Sequence, residues 1–141
     1  MKKITVAVCV DDDMQIMFFG KRQSRDSVLI SELISSASGK VYINEFSQPI
    51  FPDAESYALT LNPISDCPDG GTVFAENIPL APHISVISRL VVYKWNRRYP
   101  GDRKLDINLS SGGFRLTAVS DFVGSSHEKI TKEIYERIDA Q

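Results

Sequence analysis

Histidine and cysteine are scarce in this chain, with two of each among 141 residues. His83 and His127 stand far apart, whereas a hydrolytic zinc centre needs about three protein ligands, commonly with close pairs. Cys9 and Cys67 match no metal or redox spacing, and Cys9 falls inside an apolar run where it reads as a small buried hydrophobe. No metal site and no disulfide framework are expected, which suits the cytoplasm. The P-loop, GxGxxG and GxSxG patterns are absent, so no phosphate cradle or nucleophile elbow is announced. No apolar stretch approaches the roughly 20 residues of a membrane-spanning helix. The opening MKKITVAVCV has the lysines and apolar run of a signal peptide. The run is short, however, and it ends in three aspartates instead of a cleavage site, so it reads as a first strand. An excess of one charge is lacking too: Lys and Arg number 16 against 18 Asp and Glu, a net charge of −2. Nothing global draws the chain to nucleic acid or membrane.

What is present is an alternation of strand and helix patterns over a length that suits a single α/β domain, 1–141. Ile4 to Val10 is rich in β-branched residues and fits a strand buried on both faces. Ser24 has the form of a helix N-cap, with Asp26 in the first turn. Val28, Leu29, Leu33, Ile34 and Ala37 recur at helical spacing, and Gly39 supplies a stop. Lys40 to Phe46 returns to strand character, giving a strand–helix–strand start that predicts a parallel crossover. Residues 48–69 hold four prolines and read as a winding connection with a short helix over Asp53 to Leu59. Thr72 to Ile78 reads as a strand. Leu90 to Tyr93 and Leu105 to Leu109 flank the turn Pro100-Gly101-Asp102 and read as an antiparallel hairpin, followed by a strand from Phe114 to Val119. Ser125 to Glu128 has the form of a capping box, and Ile130, Ile134 and Ile138 predict one face of a closing amphipathic helix. The fold class expected is α/β, a mixed sheet with a parallel strand–helix–strand start and an antiparallel C-terminal hairpin.

Candidate chemistry gathers at two places. Asp11, Asp12 and Asp13 follow the carboxyl end of the first strand, the edge at which open α/β sheets bind ligands. Lys21, Arg22 and Arg25 precede the first helix, whose N-terminal amides favour an anion, and Asp26 is the candidate for a catalytic carboxylate. A ligand site is therefore expected around Asp11, Asp12, Lys21, Arg22, Arg25 and Asp26. The second place is the basic aromatic segment with Lys94, Trp95, Arg97 and Arg98, which has the composition to stack on bases and meet phosphates of single-stranded RNA. Alternation sends Tyr93 and Trp95 to one strand face, which favours Trp95 as a packing anchor. His127 beside Glu128 reads as part of the helix cap.

Two resemblances attach to these residues. CVDDDMQIMFFGKRQSRD, RLVVYKWNRRYPGDRKLDINL and GSSHEKITKEIYER together resemble an uncharacterised family of short bacterial proteins often labelled ribonuclease Z. That label implies a metallo-β-lactamase fold with an HxHxDH zinc motif, which this chain does not contain. VAVCVDDD, SRDSVLISEL and GKVYINEFS are similar in order to the start of dihydrofolate reductase. There a first strand leads through a mobile loop to a helix carrying the substrate-binding carboxylate, which would be Asp26. The chain has KRQSR where that family has an LPW-type element, and NEFS in place of GRxT. The resemblance implies a shortened reductase-like fold without implying NADPH-dependent reduction, and no cofactor is expected. The function expected is that of a cytoplasmic small-ligand-binding or interaction domain without a recognisable catalytic centre, with a degenerate reductase-like enzyme using Asp26 and single-stranded RNA binding through the basic aromatic hairpin as the alternatives.

Overall fold

The computed structural model describes residues 2–138. Met1 and residues 139–141, the two ends of the expected 1–141 domain, lie outside the described residues. The strands are β1 (Ile4–Val10), β2 (Gln15–Phe18), β3 (Lys21–Arg22), β4 (Val41–Ile43), β5 (Tyr57–Leu59), β6 (Thr72–Phe74), β7 (Ile87–Lys94), β8 (Arg103–Lys104), β9 (Phe114–Phe122) and β10 (Ile130–Arg137). The α-helices are α1 (Ser27–Ser36) and α2 (Pro63–Asp66). Seven strands form one sheet in the order β5-β4-β6-β1-β7-β10-β9, and β3-β2-β8 form a small second sheet. Strands β5, β4, β6, β1 and β7 run parallel, while β10 runs antiparallel to both β7 and β9. The chain thus has the expected α/β class, a mixed sheet that is mainly parallel with an antiparallel C-terminal part.

Strand β1 organises the core because both of its faces are covered. Ile4, Val6, Val8 and Val10 pack on one face with Val73, Leu90 and Val92. Ala7 and Cys9 point the other way, to the layer formed by Leu29 and Leu33 of α1 with Val91, Tyr93, Trp95 and Ile130. A parallel strand needs this two-sided cover, which is why its sequence is continuously apolar rather than alternating.

Four expectations are corrected. The antiparallel hairpin is not built from Leu90–Tyr93 and Leu105–Leu109. Leu90–Tyr93 lies within β7, between β1 and β10, and the C-terminal antiparallel pair is β9 with β10. The 105–109 alternation is real burial without a ladder. Leu105 and Ile107 are buried in the core, while the Asp106 carboxylate between them accepts from the amides of Leu80 and Ala81 at 2.9–3.1 Å. Second, the closing helix is a strand, β10. Isoleucines four apart share a face of a strand as well as of a helix, since four is a multiple of the strand period of two. β-Branched Ile130, Thr131 and Ile134 then favour the strand. Third, the cap of α1 is Asp26 rather than Ser24, with its carboxylate accepting from Val28 N at 3.0 Å and Leu29 N at 3.2 Å. The segment expected as a helix over Asp53 to Leu59 is a single 3-10 turn followed by the edge strand β5.

Candidate ligand-binding cleft

The residues between β1 and α1 cross the carboxyl ends of the parallel strands and are pinned there by Asp11. This carboxylate is buried. Its Oδ1 accepts from the amides of Asp13 and Gln15 at 2.9 Å, closing the turn into β2. Its Oδ2 accepts from Gln23 Nε2 at 3.1 Å and Tyr99 N at 3.3 Å, tying in the segment after β7. Asp11 therefore holds two loops together. Asp12 is exposed, and its amide donates to the Arg97 carbonyl at 2.9 Å. Arg22 is committed as well: its guanidinium makes a bidentate pair with Glu76 at 2.7 and 2.8 Å, donates to the Phe46 carbonyl at 2.8 Å and lies over the Phe46 ring. Lys21 is exposed.

Only Arg25 and Asp26 of the expected ligand set line the cleft in front of α1. This cleft has a volume of about 650 Å³. Its walls are the residues 24–27 approach to α1 with Ile30, the turn at Pro49 and Ile50, and the hydroxyls of Ser125 and Ser126. Arg25 is exposed at its rim, and Asp26 is buried at its base.

Asp26 is the most heavily coordinated side chain of the site. Besides capping α1, its Oδ1 accepts from Ser125 N at 2.8 Å. Its Oδ2 accepts from Ser126 N at 2.8 Å, Ser126 Oγ at 3.2 Å and His127 Nδ1 at 3.0 Å. Burial alone would raise its pKa. The amides of Ser125 and Ser126, the His127 ring and the Leu29 amide outweigh that and hold the carboxyl well below the usual carboxylate range. The turn joining β9 to β10 approaches so closely that a Cβ on Gly124 would strike the Asp26 carboxylate.

His127 is buried and completes the network. Because a carboxylate only accepts, the ring hydrogen facing Asp26 sits on Nδ1, which leaves Nε2 as the acceptor of the neutral imidazole. Nε2 meets Tyr99 Oη at 2.8 Å and Ser24 Oγ at 3.2 Å. The imidazole is stacked on Trp95, with centroids 4.5 Å apart and planes at 25°. Of the four side chains in this network, the sequence pattern points to Asp26 alone and not to His127, Ser24 or Tyr99. The capping-box form of Ser125 to Glu128 gives His127 the look of a helix cap, and nothing local in the sequence connects 24, 99 and 127.

The basic aromatic segment does not form a stacking platform. Trp95 is only 4% exposed, with its face taken by His127, so no base can reach it. Lys94 lies 3.8 Å from Glu133, and Arg98 pairs with Asp13 at 2.9 Å. Arg97 is exposed. Trp95 is a packing anchor, as alternation indicated, set in the layer with α1 and stacked on His127 of the β9–β10 turn.

A second cleft of about 710 Å³ opens where β4, β5 and β6 end, lined by Asn44, Glu45, Phe46, Leu59, Leu61 and Asn77 among others. Among the described residues, no three His, Cys, Asp or Glu side chains gather closely enough to hold a metal ion, and no helix is long and apolar enough to cross a membrane.

No family model matches the chain, and no curated protein matches it. Among solved structures it is similar to a dihydrofolate reductase from Enterococcus faecalis complexed with NADP(H) and RAB-propyl, with a TM-score of 0.67 and 14% sequence identity over 97% of each chain. The likeness shows a dihydrofolate-reductase-like fold. A dinucleotide cofactor needs cations or free helix N-terminal amides for its phosphates. The lining of the second cleft holds the Glu45 carboxylate and no cationic side chain, and nearby Arg22 is neutralised by Glu76. These residues do not fit a phosphate-bearing cofactor.

Proposed function

We propose that the chain is a small-ligand-binding protein whose ligand enters the cleft in front of α1. The observation that carries this reading is the cleft itself: about 650 Å³ of concave space joining a buried, fully engaged carboxylate to an apolar wall at Ile30 and Ile50. Binding sites combine an apolar body with a few placed polar groups in this way. Both oxygens of Asp26 are already taken, so a ligand meets the groups around it, namely the Ser24 and Ser27 hydroxyls and the Arg25 guanidinium. An uncharged or anionic molecule with a planar or apolar part fits that lining. Asp11 and Arg22 serve the site by fixing the loop that carries Ser24 and Arg25, while Asp12 and Lys21 contribute charge outside it. Two free thiols, Cys9 and Cys67, fit a reducing compartment such as the cytoplasm.

Isoleucine-methyl NMR with a fragment set that includes pterin, folate and NADPH tests the reading. Binders are expected to shift the Ile30 and Ile50 methyls and to raise the melting temperature according to ligand concentration over Kd. Shifts confined to Leu59 and Leu61 in a leucine-labelled sample would move the site to the second cleft, and no shift with any fragment would sink it.

A further inference from the structure

We propose that Ser24, His127 and Asp26 form an acyl-transfer triad opening on this cleft, so that the ligand is a small carboxylic ester that the protein hydrolyses. The proposal rests on the cleft being the binding site. Three contacts carry it. Asp26 Oδ2 accepts from His127 Nδ1 at 3.0 Å, and His127 Nε2 stands 3.2 Å from Ser24 Oγ. Ser24 borders the cleft, while the other two side chains are withdrawn from solvent, 0% and 2% exposed. A nucleophile, a base in hydrogen-bond reach of it and a buried carboxylate fixing the tautomer of that base define such a triad by geometry, whatever the sequence order or fold. The stacking of His127 on Trp95 fixes the ring plane, and the amides of Ser125 and Ser126 fix the carboxylate. A ligand-binding cleft alone would need none of this alignment behind Ser24.

Tyr99 shares the network. Its hydroxyl lies 2.8 Å from Nε2 and 3.3 Å from Ser24 Oγ. With one lone pair on Nε2, either hydroxyl can donate to it. When Ser24 does, Tyr99 donates to Ser24 Oγ and stabilises negative charge developing there. Arg25 at the rim is the cation available to an oxyanion. The apolar or aryl part of the ester lies against Ile30 and Ile50.

The reaction balances without a further reagent. Ser24 Oγ bonds to the ester carbonyl carbon as its proton passes to His127 Nε2. The bond to the alcohol oxygen breaks, and the alcohol leaves with that proton. Water then gives a proton to Nε2 and its oxygen to the acyl carbon. Ser24 Oγ departs with the proton, and the net change is ester plus water to acid plus alcohol.

Intact-mass and peptide mapping of the folded protein treated with an alkyl fluorophosphonate, beside 4-nitrophenyl acetate turnover, test the proposal. One adduct on Ser24 is expected. Ser24→Ala should abolish it and lower turnover by about 10²-fold or more. This variant keeps the His127–Asp26 pair, so its fold is safe. His127→Gln should lower turnover similarly and is read only after its NMR spectrum shows a folded chain. Tyr99→Phe should leave Ser24 as the labelled residue. An adduct on Tyr99, Ser125 or Ser126, an adduct that survives Ser24→Ala, or no adduct at all would overturn the triad. Absence of an adduct with the Ile30 and Ile50 methyls still shifting removes the triad and leaves the binding reading. Absence of both removes the two together.

Discussion

Asp26 does three jobs with one carboxylate: it caps α1, anchors the β9–β10 turn and orients His127. Losing a helix cap costs about 1 kcal/mol. Here the loss also strands the buried His127 ring and two loop amides, so Asp26→Ala is expected to cost about 3–5 kcal/mol, as for other broken buried charged contacts. Urea unfolding at neutral pH measures it, and a loss under about 1 kcal/mol would mean that the network carries little stability. The sign of the pH dependence follows from the lowered pKa. The folded carboxyl binds protons less readily than the unfolded one, whose pKa is about 3.9. Its contribution is complete above that value and is lost as pH falls from about 4 through the folded pKa. Wild type should therefore lose stability more steeply on acidification than Asp26→Asn, and parallel curves would contradict the assignment.

Elements were legible where burial on both faces or helical spacing left one interpretation. Strand β1 and helix α1 were both readable from their apolar patterns, and the fold class followed from their order. Strand β10 was not, because Ile130 and Ile134 satisfy both periods. The choice was made by partners far away in sequence: Val91 and Ala118 stand in register with Ile134 on either side. The same long-range placement hid the site. Asp26 was visible as a carboxylate at a helix start, but the groups that complete it arrive from positions 24, 99 and 125–127. Sequence spacing carries no trace of that meeting. Proline at Ile134 tests the strand, since it removes a donor from a ladder closed on both sides. Ile134→Pro should leave no cooperative unfolding transition. A folded variant with its circular dichroism intact would argue against a paired β10.

The sheet is most deeply buried in the middle and most open at its rims. Strands β1 and β7 are buried between neighbours on both sides, whereas β5 and β9 close the ends of the seven-stranded sheet. Strand β9 is largely exposed along its length, with Val119 at 56%. Amide hydrogens of β1 and β7 should exchange only through global unfolding, and those on the outer edge of β9 through local opening. Hydrogen exchange read by NMR decides this, and equal protection across the sheet would show that the rims are as cooperative as the centre. The cleft lies between these regimes. Its base is Asp26 with Ile30 of α1, while Ser125 and Ser126 belong to the turn leading out of β9.

The contact between Trp95 and His127 also gives the protein an optical readout. This is the only tryptophan in the chain, and its ring is stacked on the imidazole that faces Asp26 and Ser24. The fluorescence of the unmodified chain therefore reports on the surroundings of His127, and a molecule that settles against Ser24 registers in that signal without any attached dye.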